Sequence, residues 1–167
     1  MSILIRRATS ADILLIQSIA NETWPVTFAD ILSARQIAYM LDMMYSATSL
    51  TTQIEQKKHV FHLAVDEGTP IGYISHELNY QSSTHTKIHK IYLLPCAQRR
   101  GAGAELIKTV RALALANKQT ALHLNVNKFN KALGFYQRLG FAVVGYEDID
   151  IGDGFLMEDA KLVLPLP

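Results

Sequence analysis

Residues Ile91 to Leu106 read IYLLPCAQRRGAGAEL, and the fold turns on this stretch. The apolar run Ile91-Tyr92-Leu93-Leu94 has the character of a buried strand, which Pro95 closes. The turn Gln98-Arg99-Arg100-Gly101-Ala102-Gly103 follows. Apolar residues then recur at helical spacing: Leu106, Ile107, Val110, Leu113 and Ala114, to about Ala116. The order is strand, loop, helix. At a helix start the first N–H groups lack intrahelical partners and the macrodipole favours negative charge. Gly101 and Gly103 carry no β-carbon, so an anion can approach the backbone, and Arg99 and Arg100 add charge. The residues alone leave two readings, a turn with solvated arginines or a cradle for a phosphate. A P-loop is excluded, because Ala104-Glu105 follow Gly103 where Lys-Ser/Thr is required. A dinucleotide fingerprint fails as well: Leu106 replaces its third glycine, and apolar Ala121 and Leu122 stand where an acidic residue belongs.

Outward from this junction the periodicities alternate. Towards the N-terminus, Lys87 to Leu94 form the strand that carries the apolar run. Residues 80–86, YQSSTHT, form a polar loop before it. Val60 to Val65 and Ile71 to about Asn79 form a hairpin around Asp66-Glu67-Gly68. Before these lie a strand at about residues 3–7 and a helix capped by Ser10 and ended by Pro25. A second helix starts at Ser33, three residues before Gln36, and carries Ile37, Met40, Leu41 and Met44 on one stripe. A third, short helix near residues 48–57 is only weakly signalled. Towards the C-terminus, Leu122, Leu124 and Val126 alternate as a strand, and residues 131–139 form a helix with Gly140 just past its end. Phe141 to about Ile149 and Phe155 to Leu164 form two last strands. The order β-α-α-β-β-β-α-β-α-β-β predicts one α/β domain over residues 1–167. Its mixed sheet has about seven strands and about four flanking helices, with a central β-α-β crossover.

Composition narrows the function. A net charge of +1 gives no global field for nucleic acid or an anionic membrane, so any anion site is local. The single cysteine, Cys96, rules out an intrachain disulfide and suits a reducing compartment. The N-terminus lacks a signal-peptide core, and no apolar stretch is long enough to span a bilayer. These features lead us to expect a cytoplasmic protein.

A second motif lies downstream, Asn130-Lys131-Ala132-Leu133-Gly134-Phe135-Tyr136-Gln137-Arg138-Leu139-Gly140-Phe141. Together with Gln98, Gly101 and Gly103 it resembles the GCN5-related N-acetyltransferase (GNAT) superfamily. That family's acetyl-CoA loop reads Gln/Arg-x-x-Gly-x-Gly/Ala, and its later segment reads Asn-x-x-Ala-x-x-Phe-Tyr-x-x-x-Gly-Phe. One departure stands out: Phe129 occupies the usual asparagine position, so Asn127 and Asn130 are both candidates for the cofactor contact. Asn130 is equally suited to cap a helix. The segment around Trp24 and Phe28 is also similar to polyamine acetyltransferase relatives.

The resemblance implies an acyltransferase that moves an acetyl group from acetyl-CoA, its cosubstrate, to a primary amine of a small molecule by direct attack. The alternative is a CoA-binding regulatory protein without transferase activity. By the resemblance, amides from Arg99, Arg100, Gly101, Ala102, Gly103 and Ala104 bind the pyrophosphate. The Ile91-Tyr92-Leu93 strand splays from the next one and pairs with the pantetheine arm, and the Leu93 amide polarises the thioester carbonyl. Tyr136 is the expected general acid towards the leaving thiolate. Glu22, Trp24 and Phe28 are expected at the acceptor site, with Glu77 as a further candidate there. For the base, His76, Glu77 and His89 stay open, and alternation bars His76 and Glu77 from one face without a bulge. His85 and His89 invite a metal reading, but four strand residues span about 13 Å, too far for one ion, so no metal is expected. The expected partner is a small-molecule amine, and the family's habit leaves a homodimer open.

Overall fold

The structure, a computed structural model, describes residues 2–167. Its frame is a seven-stranded sheet in the order β1-β2-β3-β4-β5-β7-β6. The strands are β1 (Ile3–Arg7), β2 (Val60–Asp66), β3 (Thr69–Glu77), β4 (His85–Leu93), β5 (Ala121–Asn127), β6 (Ala142–Gly152) and β7 (Phe155–Pro165). The helices are α1 (Ile13–Thr27), α2 (Ala34–Tyr45), α3 (Ala47–Glu55), α4 (Ala102–Ala116) and α5 (Leu133–Arg138). Every neighbouring pair is antiparallel except β4 with β5, the pair joined by the α4 crossover.

The helices divide between the two faces because the strands are apolar on both. Ile16, Trp24 and Leu50 pack on Phe61, Leu63 and Tyr73 on one face. Leu106 and Val110 pack on Ile74, Ile88, Leu122, Leu124 and Leu162 on the other. Full burial of each such Leu or Ile contributes roughly 1.5–3 kcal/mol. The first face is covered only over β2 to β4. Beyond it the β6–β7 hairpin reaches back to α2, where the Tyr39 hydroxyl donates to the Ile151 carbonyl at 2.6 Å and Gln36 Nε2 to that of Leu156 at 2.8 Å.

Three local expectations change and one weak expectation is met. Thr9, and not Ser10, caps the first helical segment: its hydroxyl accepts from Ala11 while Asp12 accepts from the Thr9 amide. Asp12 is available for this because Arg6 holds it at 2.8 Å. Pro25 does not end α1 but lies inside its last turn. The missing N–H there deprives only Asn21 of a donor, and Asn21 is exposed to water. The weakly signalled third helix is well formed, with Ser46 accepting from the Ser49 amide. Finally, α5 is shorter than expected, because Asn130 Oδ1 takes the Ala132 amide in a turn and the helix begins at Leu133.

Candidate active site

The parallel pairing of β4 with β5 covers only His85↔Ala121 to Ile88↔Leu124. Beyond it, among the described residues, β5 continues against β7 alone and Ile91 to Leu93 have no strand partner on that side. The polarity of this open edge follows from the register with β3. Leu94 N–H donates to the Ile71 carbonyl at 2.8 Å, which makes 71–94 a hydrogen-bonded pair. By antiparallel alternation Gly72↔Leu93 and Ile74↔Ile91 are non-bonded pairs. The amides of Ile91 and Leu93 therefore point away from β3, into the gap. At the gap's upper end Gln98 Nε2 donates to the Leu93 carbonyl at 3.3 Å.

The loop expected to hold a pyrophosphate stands directly above. Arg99 (φ 63°) and Gly101 (φ 87°) both adopt left-handed backbone on either side of Arg100. Such alternation curls successive N–H groups toward one side. Among the described residues, no hydrogen bond is donated by the amides of Arg99, Arg100 or Gly101. Those of Ala102, Gly103 and Ala104 form the free first turn of α4. A β-carbon on Gly101 would meet nothing, so this glycine serves its dihedral angle. Gly103 serves packing, since a β-carbon there would lie 3.2 Å from Phe135 Cζ. Arg100 pairs with Asp66 at 3.6 Å, and Arg99 is exposed. Backbone, more than guanidinium charge, forms the concavity.

Tyr136 lies on α5 against Phe135 and Phe141 and is buried. Among the described residues its hydroxyl has no hydrogen-bond partner, and burial raises its pKa above the ordinary phenol value. It keeps its proton at neutral pH. Tyr92 is raised too, first by burial and then by the neighbouring Tyr45, Tyr136 and Asp159. Asn127 and Asn130 each spend a side-chain oxygen on a local turn, accepting from Phe129 and Ala132 at 2.9 Å. Their Nδ2 groups are left over for a ligand.

The proposed acceptor residues do not assemble. Glu22 is exposed on α1. Trp24 (2% exposed) and Phe28 (4%) are buried beneath Tyr92, with ring centroids 5.5 and 6.5 Å from it. They build the floor under Tyr92 and do not line an open pocket. Glu77 lies five residues along β3 from Gly72, roughly 16 Å away, and is held by His59 and His89. His76 faces the opposite side, stacked on His62 at 5.8 Å. The alternation rule holds, and the two residues lie on different faces.

A cluster that sequence reasoning missed occupies the uncovered face beside the gap. Lys87 Nζ donates to Asn125 Oδ1 at 2.8 Å. Asn125 Nδ2 donates to Glu147 Oε1 at 2.7 Å and to Asp159 Oδ2 at 3.2 Å. Asp159, paired in register with Asn127 one strand behind the gap's far lip, is 4% exposed. Burial is the leading cause that raises its pKa, and burial likewise lowers Lys87 to about 8. The four residues come from four strands. Only period-2 placement on one face marks them in the sequence, and that signal is silent until the strand pairing is known.

The comparisons with known proteins agree with this fold. The model of the acetyltransferase (GNAT) domain matches residues 28–158. A spermidine N(1)-acetyltransferase of Thermoplasma acidophilum is 27% identical over 163 residues, 95% of this chain and 97% of that protein. The crystal structure of the PaiA N-acetyltransferase from Thermoplasma acidophilum in complex with coenzyme A superposes with a TM-score of 0.84. It is 24% identical, covering 99% of this chain and 100% of that one. A GCN5-related N-acetyltransferase from Rhodopseudomonas palustris gives a TM-score of 0.85 at 17% identity, over 99% and 97% of the two chains. The fold and the matching family model together define an acyl-transferring enzyme. The chain belongs to the GNAT family of N-acetyltransferases.

Proposed function

We propose that the protein transfers the acetyl group of acetyl-CoA to a primary amine of a small, cationic molecule of the polyamine class. One observation carries the reading. The outward amides of Ile91 and Leu93 and the free amides of Arg99 to Ala104 follow one another along the open edge of β4. A strand-like arm with an anionic end fits that set, and both the resemblance and the coenzyme A complex of the PaiA relative suggest what it is. Bound acetyl-CoA supplies an electrophilic thioester and a thiolate leaving group. On this reading the edge of Ile91 to Leu93 orients it, and the amides of the 99–104 loop neutralise its pyrophosphate. The Leu93 amide, fixed by the 71–94 hydrogen bond, stands ready to stabilise negative charge on an acyl oxygen. Tyr136 holds a proton on its hydroxyl for a departing thiolate.

The acceptor class rests on the missed cluster. Asp159 and Glu147 offer negative charge on the uncovered face, suited to draw in an ammonium group. On this reading Asp159, its pKa raised by burial, receives the proton that the ammonium sheds. The similarity to a spermidine N(1)-acetyltransferase supports the same reading. The test is release of CoA thiol from acetyl-CoA across a panel of monoamines, diamines and polyamines. Turnover that rises with the number of amino groups is expected. An absence of amine-dependent release, with tight acetyl-CoA binding, would make the protein a CoA-binding regulator instead.

A further inference from the structure

His59, Glu77 and His89 lie outside the acyl-transfer gap and form a row across three neighbouring strands. The register Val60↔His76 places His59, the residue before β2, opposite Glu77 at the end of β3. Its own amide is anchored to the Gln53 carbonyl at 2.9 Å. On the other side β3 pairs Ser75↔Lys90 and then His76↔Ile88, so His89 is the extra residue of a bulge in β4. The bulge turns His89 onto the face of Glu77. His59 Nε2 then stands 3.2 Å and His89 Nε2 3.0 Å from the same Glu77 Oε1. The three donor atoms all lie within 4.8 Å of one another.

We propose that His59, Glu77 and His89 form a binding site for a divalent transition-metal ion, two imidazoles and one carboxylate, with Zn²⁺ as the ion the donors suit best. Donors bound to Zn²⁺ at about 2.0–2.1 Å in a tetrahedron stand roughly 3.3 Å apart, close to the two separations observed. Imidazole nitrogens select this class over Mg²⁺ or Ca²⁺, which require oxygen-rich cages. The His59 and His89 rings stack at 3.9 Å with 13° between planes. Chelation therefore rotates one ring about its χ2 while the strand backbones stay in place. A protein set of three leaves the fourth position to water or an exogenous ligand. Lys90 is held nearby by Gln53 Oε1 at 2.7 Å, and its positive charge opposes the ion. Glu77 is thus the one compensating carboxylate, and its loss removes the only negative charge of the set. The His85–His89 spacing along one strand remains too long for a shared ion. This site uses His89 with Glu77 of β3 and His59 just ahead of β2.

The experiment uses untagged, chelator-washed protein and Zn²⁺ in competition with a chromophoric chelator. Wild type is expected to take up a single equivalent. Glu77→Gln, His59→Ala and His89→Ala should each weaken binding by about tenfold or more, while His85→Ala and His123→Ala leave it unchanged. X-ray absorption on the Zn²⁺-loaded wild type should show two imidazoles and light-atom ligands with no sulfur, and it decides the matter if a variant loses its fold by circular dichroism. No uptake by wild type overturns the site. So does binding that survives in the His59 and His89 variants, or a sulfur ligand, which would point to Cys96.

Discussion

Gly72 and Leu93 face one another across β3 and β4 as a non-hydrogen-bonded pair, so close that a β-carbon on Gly72 would collide with the Leu93 side chain and stand 2.8 Å from the Tyr92 carbonyl oxygen. The absence of a side chain at position 72 is what lets β4 lie flat while Leu93 turns its amide outward. Gly72→Ala should therefore push β4 toward the gap. We expect a stability loss of about 1–3 kcal/mol by urea unfolding, accompanied by a fall in kcat that exceeds any change in acetyl-CoA affinity. Wild-type kcat in a destabilised variant would separate Leu93 from catalysis.

Tyr136→Phe removes one oxygen from a buried ring and leaves its packing on Phe135 and Phe141 in place. Turnover should fall by roughly two orders of magnitude, within the usual range for a lost general acid, with acetyl-CoA affinity almost unchanged. Turnover equal to wild type would remove Tyr136 from the chemistry.

Two substitutions at Gly101 separate strain from charge. Gly101→Ala meets no neighbour but is held at φ 87°, so it should cost about 1–2 kcal/mol of stability. Gly101→Asp adds a negative charge beside the free amides and should also weaken CoA binding. Calorimetry that gives both variants the same CoA affinity would place the pyrophosphate elsewhere.

Asp159→Asn keeps the shape of the polar cluster and removes its most buried charge. KM for a polyamine should rise and the pH at which the rate reaches its plateau should move upward, while CoA affinity stays constant. Unchanged KM and pH profile would assign Asp159 to structure alone.

His62 and His76 stack beside Arg7, and burial lowers both, His76 to about 4. Between about pH 4 and 6.5 the unfolded chain then binds more protons than the folded one, so stability must fall as the pH drops through that window. For His76, which is 2% exposed, the loss approaches roughly 3 kcal/mol. Urea unfolding along a pH series checks this. His76→Gln should flatten the slope, and an unaltered slope would place the acid sensitivity in other groups.

The strand–loop–helix junction and the tyrosine segment were legible because their signals are local. Periodicity, glycine position and spacing each lie within one short contiguous segment of the chain. The hairpins were legible for the same reason. Pro25 misled because propensity penalises a missing N–H without weighing where in the helix it falls. The acceptor side was poorly legible for a deeper reason. Lys87, Asn125, Glu147 and Asp159 meet only once β4, β5, β7 and β6 lie side by side, and no local pattern encodes that order. Trp24 and Phe28, expected at the acceptor site, pack against Tyr92 in the core. The His59–Glu77–His89 row depended on a one-residue bulge, which alternation alone does not foresee.

The short run of parallel pairing has a mechanical meaning. With β4 and β5 joined only from His85↔Ala121 to Ile88↔Leu124, the sheet is two leaves on a common spine, free to breathe where the spine ends. An extended ligand laid along Ile91 to Leu93 acts as the missing length of spine. It exchanges solvent for a row of backbone hydrogen bonds and stiffens the leaves against each other. If the cosubstrate binds as proposed, its occupancy stiffens the sheet, and slowed amide hydrogen exchange on both sides of the gap, as far as β7, is the expected signature.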